Sequence, residues 1–175
     1  KNFLSGIRNA TRRAPDVILV GESRDPETLR GMIEAAEIGV TAYSTVHTRS
    51  VAETPTRIIN VFPADQQQQV AATMLSSMRL IIQQRLVPSL KGGRVALREY
   101  LSFTPDIRQQ LMKTPICDLI QVIEKYVAEK GRPLLKTAAD LYTGGMISEQ
   151  TYQQLVKERQ EEKACSGETP QYTPN

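Results

Sequence analysis

Apolar positions along the chain follow one rhythm in its first two thirds and another thereafter. The opening residues Phe3, Leu4 and Ile7, with Arg8, Arg12 and Arg13 between and after them, have helical spacing and read as the middle of a helix. The expectation from this start is that the beginning of the protein lies upstream. Asp16 then precedes Val17-Ile18-Leu19-Val20, apolar at every position, the pattern of a strand buried on both faces of a parallel sheet. The run ends at Gly21-Glu22. Asp25 as N-cap, Pro26 at the first helical position and Glu27 in the positive first turn start a helix whose Leu29, Met32, Ile33 and Ala36 share a face. Gly39 is placed to end it. Val40 to Val46 is β-branched and threonine-rich, as a second buried strand would be, and Thr48 to Val51 leads towards a helix that closes near Phe62-Pro63. Strand, helix, strand is a parallel α/β unit.

From Asp65 to Leu86 the spacing of Val70, Met74, Met78, Ile81 and Ile82 predicts one long helix, its glutamines forming a wet face. Lys91-Gly92-Gly93 separates Leu86-Val87 from Val95-Ala96-Leu97 and predicts a hairpin on the edge of the sheet. From Thr104 onward only helical periodicity remains: Ile107 with Leu111, Ile116 through Val127, Leu134 to Leu141, and Tyr152, Leu155 and Val156 after a Ser148 cap. The last dozen residues, with Gly167, Pro170 and Pro174, read as a disordered tail. The expected organisation is residues 1–103 as an α/β core, 104–163 as a helical C-terminal region and 164–175 as the tail.

With 40% hydrophobic residues in 175, the chain has enough apolar material for a core, so disorder throughout is excluded. The net charge of +3 is too small to mark an electrostatic nucleic-acid binder. Aromatic residues, at 5%, offer no stacking platform for single strands. Cys117 and Cys165 lie far apart with no CxxC and no histidine cluster, which excludes a zinc ribbon and a disulfide framework and suits a reduced compartment. No apolar run approaches the roughly 18 to 20 residues that cross a bilayer, and Lys1-Asn2-Phe3-Leu4 lacks the layout of a secretory signal. A cytoplasmic location is expected.

The chemistry concentrates in two strand ends. An apolar strand that ends in an acid has the Walker B arrangement, because the carboxyl end of a parallel strand opens onto the crevice where nucleotide phosphates bind. Glu22 is that acid; a carboxylate there can hold Mg²⁺, usually through water, or polarise an attacking water. The same pattern also arises when an acid merely caps the next helix. His47, the only histidine, ends the next strand in Thr45-Val46-His47-Thr48, where it can reach the same crevice or serve as a structural hydrogen-bonding group.

The stretch Ala14-Pro15-Asp16-Val17-Ile18-Leu19-Val20-Gly21-Glu22-Ser23-Arg24-Asp25-Pro26-Glu27-Thr28, followed by Ala35-Ala36-Glu37-Ile38-Gly39 and Thr45-Val46-His47-Thr48, resembles the secretion and pilus-retraction ATPases of the PilT type. The resemblance continues through Arg57-Ile58-Ile59-Asn60-Val61-Phe62-Pro63, Gln84-Arg85-Leu86-Val87-Pro88 and Gly92-Gly93-Arg94-Val95-Ala96 with Glu99. In the helical part, Thr104-Pro105-Asp106-Ile107-Arg108 and Leu141-Tyr142 with Gly145-Met146-Ile147-Ser148 are similar to the family's C-terminal helices. The cysteine, glutamine and tail details resemble the DotB and TraJ branch of type IVB secretion and conjugation.

The resemblance implies an α/β fold: part of a RecA-like ATPase core with a mainly parallel sheet, then a C-terminal helical region. It implies ATP and Mg²⁺ as cofactors and a homo-hexameric ring that works with inner-membrane secretion-complex or pilus platform subunits, held peripherally at that membrane. Carried over by position, Glu22 is the Walker B glutamate on Mg²⁺ and water, and His47 is the histidine-box residue that senses the γ-phosphate. Arg24 either contacts the nucleotide site or makes a plain helix-start salt bridge; Arg57, Arg85 and Arg94 read as structural. The chain departs from the family in lacking a G-x-x-x-x-G-K-[ST] phosphate loop and the acidic box, so it is expected to be the C-terminal half of the enzyme and inactive alone. Two other readings stand beside this one. The Arg8, Arg12 and Arg13 cluster would suit a nucleic-acid-associated RecA-like NTPase, and the missing phosphate loop would suit a non-catalytic assembly subunit.

Overall fold

A computed structural model describes residues 3–165. Helix α1 (Phe3–Thr11) is followed by strand β1 (Val17–Val20), helix α2 (Pro26–Glu37) and strand β2 (Thr41–Ser44). Asp25 caps α2 as expected: its carboxylate accepts the Thr28 amide at 2.8 Å and the Thr28 hydroxyl at 2.7 Å. Gly39, at φ +95°, turns the chain out of the helix through the left-handed region. β1 and β2 pair in parallel from Val17 opposite Thr41 to Val20 opposite Ser44. Parallel pairing brings both strand C-termini to one edge.

Ile18 and Val20 are buried with Ile7 of α1, Ala35 of α2 and Val40. The opposite face is open, with Val17 54% and Leu19 77% exposed, as is Tyr43 of β2 at 56%. Burial on both faces, expected from the unbroken apolar run, does not occur: among the described residues the two strands pair only with each other, and the helices cover one side.

Helix α3 (Glu53–Ile59) ends before Phe62-Pro63, and α4 (Ala64–Ser77) follows. The single long helix expected to Leu86 is corrected here. The chain leaves the helix at Met78, whose ψ of 134° is extended, and Leu80–Pro88 forms strand β3. Leu80-Ile81-Ile82 is an apolar run whose period fits helix and strand equally, and pairing with β4 (Arg94–Ser102) decides it. The connection between them places both Gly92 (φ +89°) and Gly93 (φ +68°) in conformations that disfavour side chains. β3 and β4 form a two-stranded sheet of their own and do not extend the parallel pair, among the described residues.

Helix α5 (Pro105–Met112) starts on a Thr104 cap, a short 3-10 turn (Ile116–Asp118) leads into α6 (Leu119–Lys130), and α7 (Leu134–Thr143) and α8 (Glu149–Cys165) finish the described chain. Residues 166–175, most of the expected tail, lie outside the described residues, and 164–165 fall within α8.

The described residues group into two compact units. The first contains residues up to Gln83 together with Tyr100–Gly131. Its main core packs Val51, Ile59, Met74 and Leu75 against Leu101, Phe103, Ile107, Leu111, Leu119 and Ile123. Thus α5 and α6, assigned by sequence to the helical region of 104–163, share a core with α3 and α4. The second unit contains Gln84–Glu99 and residues from Arg132 onward. Val87 and Leu97 pack there on Ala138, Ile147 and Leu155, and the rings of Tyr142 and Tyr152 stack at 5.2 Å. Buried Glu99 accepts the Leu134 amide at 3.4 Å and lies 3.8 Å from the Arg159 guanidinium. Arg85 pairs with Glu158 at 2.6 Å, the structural part expected of it.

Candidate functional site

The parallel register delivers residues 21–23 and 45–47 to the same edge of the β1–β2 sheet, the end where open α/β folds bind ligands. Beyond the last strand pair the two segments are stitched together. The Thr45 hydroxyl donates to the Gly21 carbonyl at 2.6 Å and the Ser23 amide donates to the Thr45 carbonyl at 3.2 Å. The Ser23 and Ser44 hydroxyls are 2.7 Å apart. Ser23 is buried, and its hydroxyl also approaches the Met32 sulfur at 2.9 Å.

On this frame Glu22 and His47 meet. His47 Nε2 lies 2.9 Å from Glu22 Oε1, and the Arg24 Nε–H donates to that same oxygen. The sequence-predicted residues Glu22, Arg24 and His47 therefore come together as one cluster. The Arg24 hydrogen bond and the Arg24 and His47 ion pairs of Glu22 all use Oε1. The Arg24 hydrogen bond, with help from the charges of Arg24 and His47, holds the Glu22 carboxyl below the usual carboxylate value against the opposing pull of desolvation. The same bond raises the Arg24 guanidinium above its ordinary value. Asp25, next in sequence, is held low by the Thr28 hydroxyl and amide and serves the helix cap instead of the cluster.

The side chains of Arg24 and His47 are 75% and 80% exposed. Ion pairs this wet contribute little to stability, so the cluster is poor scaffolding and well placed to exchange partners with an incoming anion or cation. No group of three or more His, Cys, Asp or Glu side chains suited to a metal ion occurs among the described residues. A divalent ion at this edge would have Glu22 as its one carboxylate and would take its other oxygens from a ligand and water, which is how Mg²⁺ is commonly held beside phosphates. A carboxyl held below its usual value, with its Arg24 hydrogen bond on Oε1, fits that requirement.

Sequence reasoning named the reactive side chains but missed the residues that hold them. Thr45, Ser23 and Ser44 were visible only as β-branched or hydroxylic neighbours of Glu22 and His47. Their hydroxyls acquire partners through the register. Arg57 and Arg94, exposed in α3 and at the start of β4, are not brought to the cluster by any described contact.

An acidic strand end meets a histidine across a parallel strand pair, in a chain that continues into helices, so the fold is of the α/β class. Over residues 1–165 the chain matches the family described as Type II/IV secretion system protein, and it belongs to that family. It is 34% identical over 155 residues to the "Type IV pilus retractation ATPase PilT" of Pseudomonas aeruginosa, covering 89% of this chain and 45% of that protein. It is also 34% identical over 148 residues to a "Twitching motility protein" of Neisseria gonorrhoeae, covering 84% of this chain and 40% of that one. Among solved structures it is similar to the Legionella pneumophila ATPase DotB, with a TM-score of 0.87 and 38% identity over 90% of this chain and 42% of that chain. It is likewise similar to the pilus retraction motor PilT with bound ADP, with a TM-score of 0.76 and 36% identity over 87% of this chain and 43% of that chain. The chain thus spans less than half the length of these relatives. The fold expected from the resemblance, an α/β ATPase-type part with a parallel sheet followed by helices, is the fold observed.

Proposed function

We infer that this chain is the C-terminal half of a hexameric, Mg²⁺-dependent ATP-hydrolysing motor that powers type IV or type IVB secretion, pilus or conjugation machinery. The observation that carries the reading is the 2.9 Å contact of Glu22 with His47 at the carboxyl edge of two parallel strands, in a chain similar to DotB and to a retraction motor with bound ADP. In this reading Glu22 is the Walker B glutamate. The Glu22 carboxylate would hold Mg²⁺ or the attacking water, and the Arg24 hydrogen bond lowers the carboxyl's pKa, which favours the ionised form. Bound Mg²⁺ would supply charge neutralisation for the triphosphate.

Arg24 donates to one Glu22 oxygen, and His47 Nε2 lies 2.9 Å from the same oxygen. In this reading either side chain can turn to a phosphate oxygen instead, which makes Glu22 responsive to whether the nucleotide is present. His47 is then the residue that reports the γ-phosphate. Residues 1–103 supply the RecA-like part and 104–163 the helical region. The chain has no G-x-x-x-x-G-K-[ST] segment, so alone it lacks the lysine and the backbone cradle that phosphates require. No helix among the described residues is long and apolar enough to cross a membrane. In this reading attachment to the inner-membrane secretion or pilus platform is peripheral, through protein partners.

The test is hydrolysis by the parent protein and its Glu22→Gln variant. Turnover should fall by about 100-fold or more, the scale of losing a group that acts on charge developing in the transition state. His47→Ala should keep nucleotide binding and lose hydrolysis. The isolated 175-residue chain should show no turnover. Normal turnover in Glu22→Gln would sink the assignment. Sedimentation of the parent protein checks the hexamer.

A further inference from the structure

The ladder between β1 and β2 closes at Val20 opposite Ser44, yet the two segments remain joined past it by side-chain chemistry. The Thr45 hydroxyl reaches the Gly21 carbonyl at 2.6 Å, while the Thr45 carbonyl receives the Ser23 amide at 3.2 Å. Glu22 is therefore gripped through both of its neighbours by one residue, and that residue stands two positions before His47. Thr45 is exposed, so it has no core to fill. Its β-branched shape suits an extended chain, but shape alone needs no hydroxyl and no partner at Gly21.

We propose that Thr45 is a positioning residue: its hydroxyl bond to the Gly21 carbonyl sets the separation of the Glu22 carboxylate and the His47 imidazole. Without that bond the 45–47 segment keeps the Ser23 amide, a longer contact, the Ser23–Ser44 hydroxyl pair at the strand end and the His47–Glu22 contact itself, none of which fixes Gly21. Catalytic groups tolerate little displacement, since about 1 Å of misplacement can cost on the order of 100-fold in rate. The consequence for hydrolysis rests on the motor reading above, whereas the geometric claim does not.

Two substitutions separate the hydroxyl from the shape. Thr45→Val keeps the branched outline and loses the donor; Thr45→Ser keeps the donor and loses the methyl. His47 is the only histidine in the chain, so its ring resonances identify themselves in a spectrum of the 175-residue protein. Glu22→Gln should shift those resonances, because the partner of the ring nitrogen changes from a carboxylate to an amide. In a Thr45→Val background that response should be largely lost, and in a Thr45→Ser background it should persist. A full-sized response in Thr45→Val, or an equal loss in Thr45→Ser, overturns the proposal.

In the parent protein Thr45→Val should lower kcat by about 10- to 100-fold with little change in KM for ATP, and Thr45→Ser should restore it. Full turnover in Thr45→Val, beside an inactive Glu22→Gln, also overturns the proposal. Normal turnover in Glu22→Gln instead sinks the motor reading and leaves the resonance experiment to decide the role of Thr45.

Discussion

The helical core around Ile107 and the β1–β2 pair are built from the same branched aliphatic residues, but one is sealed and the other half open. Ile107, Leu111, Leu119 and Ile123 are fully buried, in one cluster with residues of α3, α4 and β4. Leu19, in an equally apolar run, is 77% exposed. Apolar sequence therefore marks what a segment is able to bury, and the number of layers around it decides what it does bury. The reactive cluster lies at the carboxyl end of this pair, where the Arg24 and His47 side chains are exposed. A sealed core has no room for such chemistry.

Substitution tests this contrast, with the largest effect expected in the sealed region. Ile107→Ala should cost about 2–5 kcal/mol, the transfer and cavity cost of a buried large aliphatic, read from chemical denaturation of the 175-residue chain. A cost near zero would mean that the helices do not form the core described.

The second test carries the same contrast into charged groups. Glu99→Gln replaces the buried acceptor of the Leu134 amide and the partner of Arg159, and should cost about 1.5–3 kcal/mol. Glu22→Gln, at the wet edge, should leave the denaturation midpoint where it is. Equal losses in the two variants would erase the distinction between structural and poised carboxylates.

The third effect is smaller. Asp25→Ala removes the cap of α2 and should cost about 1 kcal/mol near neutral pH. The folded-state value of Asp25 is depressed, so its contribution is present above the ordinary aspartate value of 3.8 and is lost as the pH falls through the lowered value. Wild type and Asp25→Ala should thus converge in stability in acid, and a gap that stays constant below that range would remove the cap from the account.

The smallest effect belongs to the open face. Leu19→Thr should change the stability of this chain by no more than about 0.5 kcal/mol, as an exposed substitution on a strand does. A loss as large as that of Ile107→Ala would show that Leu19 is covered.

Local signals carried much of the fold. The Asp25-Pro26-Glu27 start of α2, the Gly39 exit, the Gly92-Gly93 turn and the Ser148 cap each specify a boundary within a few residues, and each is where it was read. Leu80 to Arg85 forms a strand where the spacing predicts helix, because a short apolar run has no period of its own; only β4, across the turn, chooses between the two. Glu22 and His47 were legible as a pair because both follow apolar strands whose ends a parallel unit brings together.

The sequence by itself determined which residues carry charge and polar chemistry, where helices are capped and where the chain must turn, since these depend on neighbours within a few positions. Tertiary structure alone decided that α5 and α6 share a core with α3 and α4, that the helices of this chain cover one face of β1, and that the Thr45 hydroxyl finds the Gly21 carbonyl. Those outcomes depend on contacts between residues far apart in the chain, and a hydrogen bond or a buried surface exists only once both partners have been brought to one place.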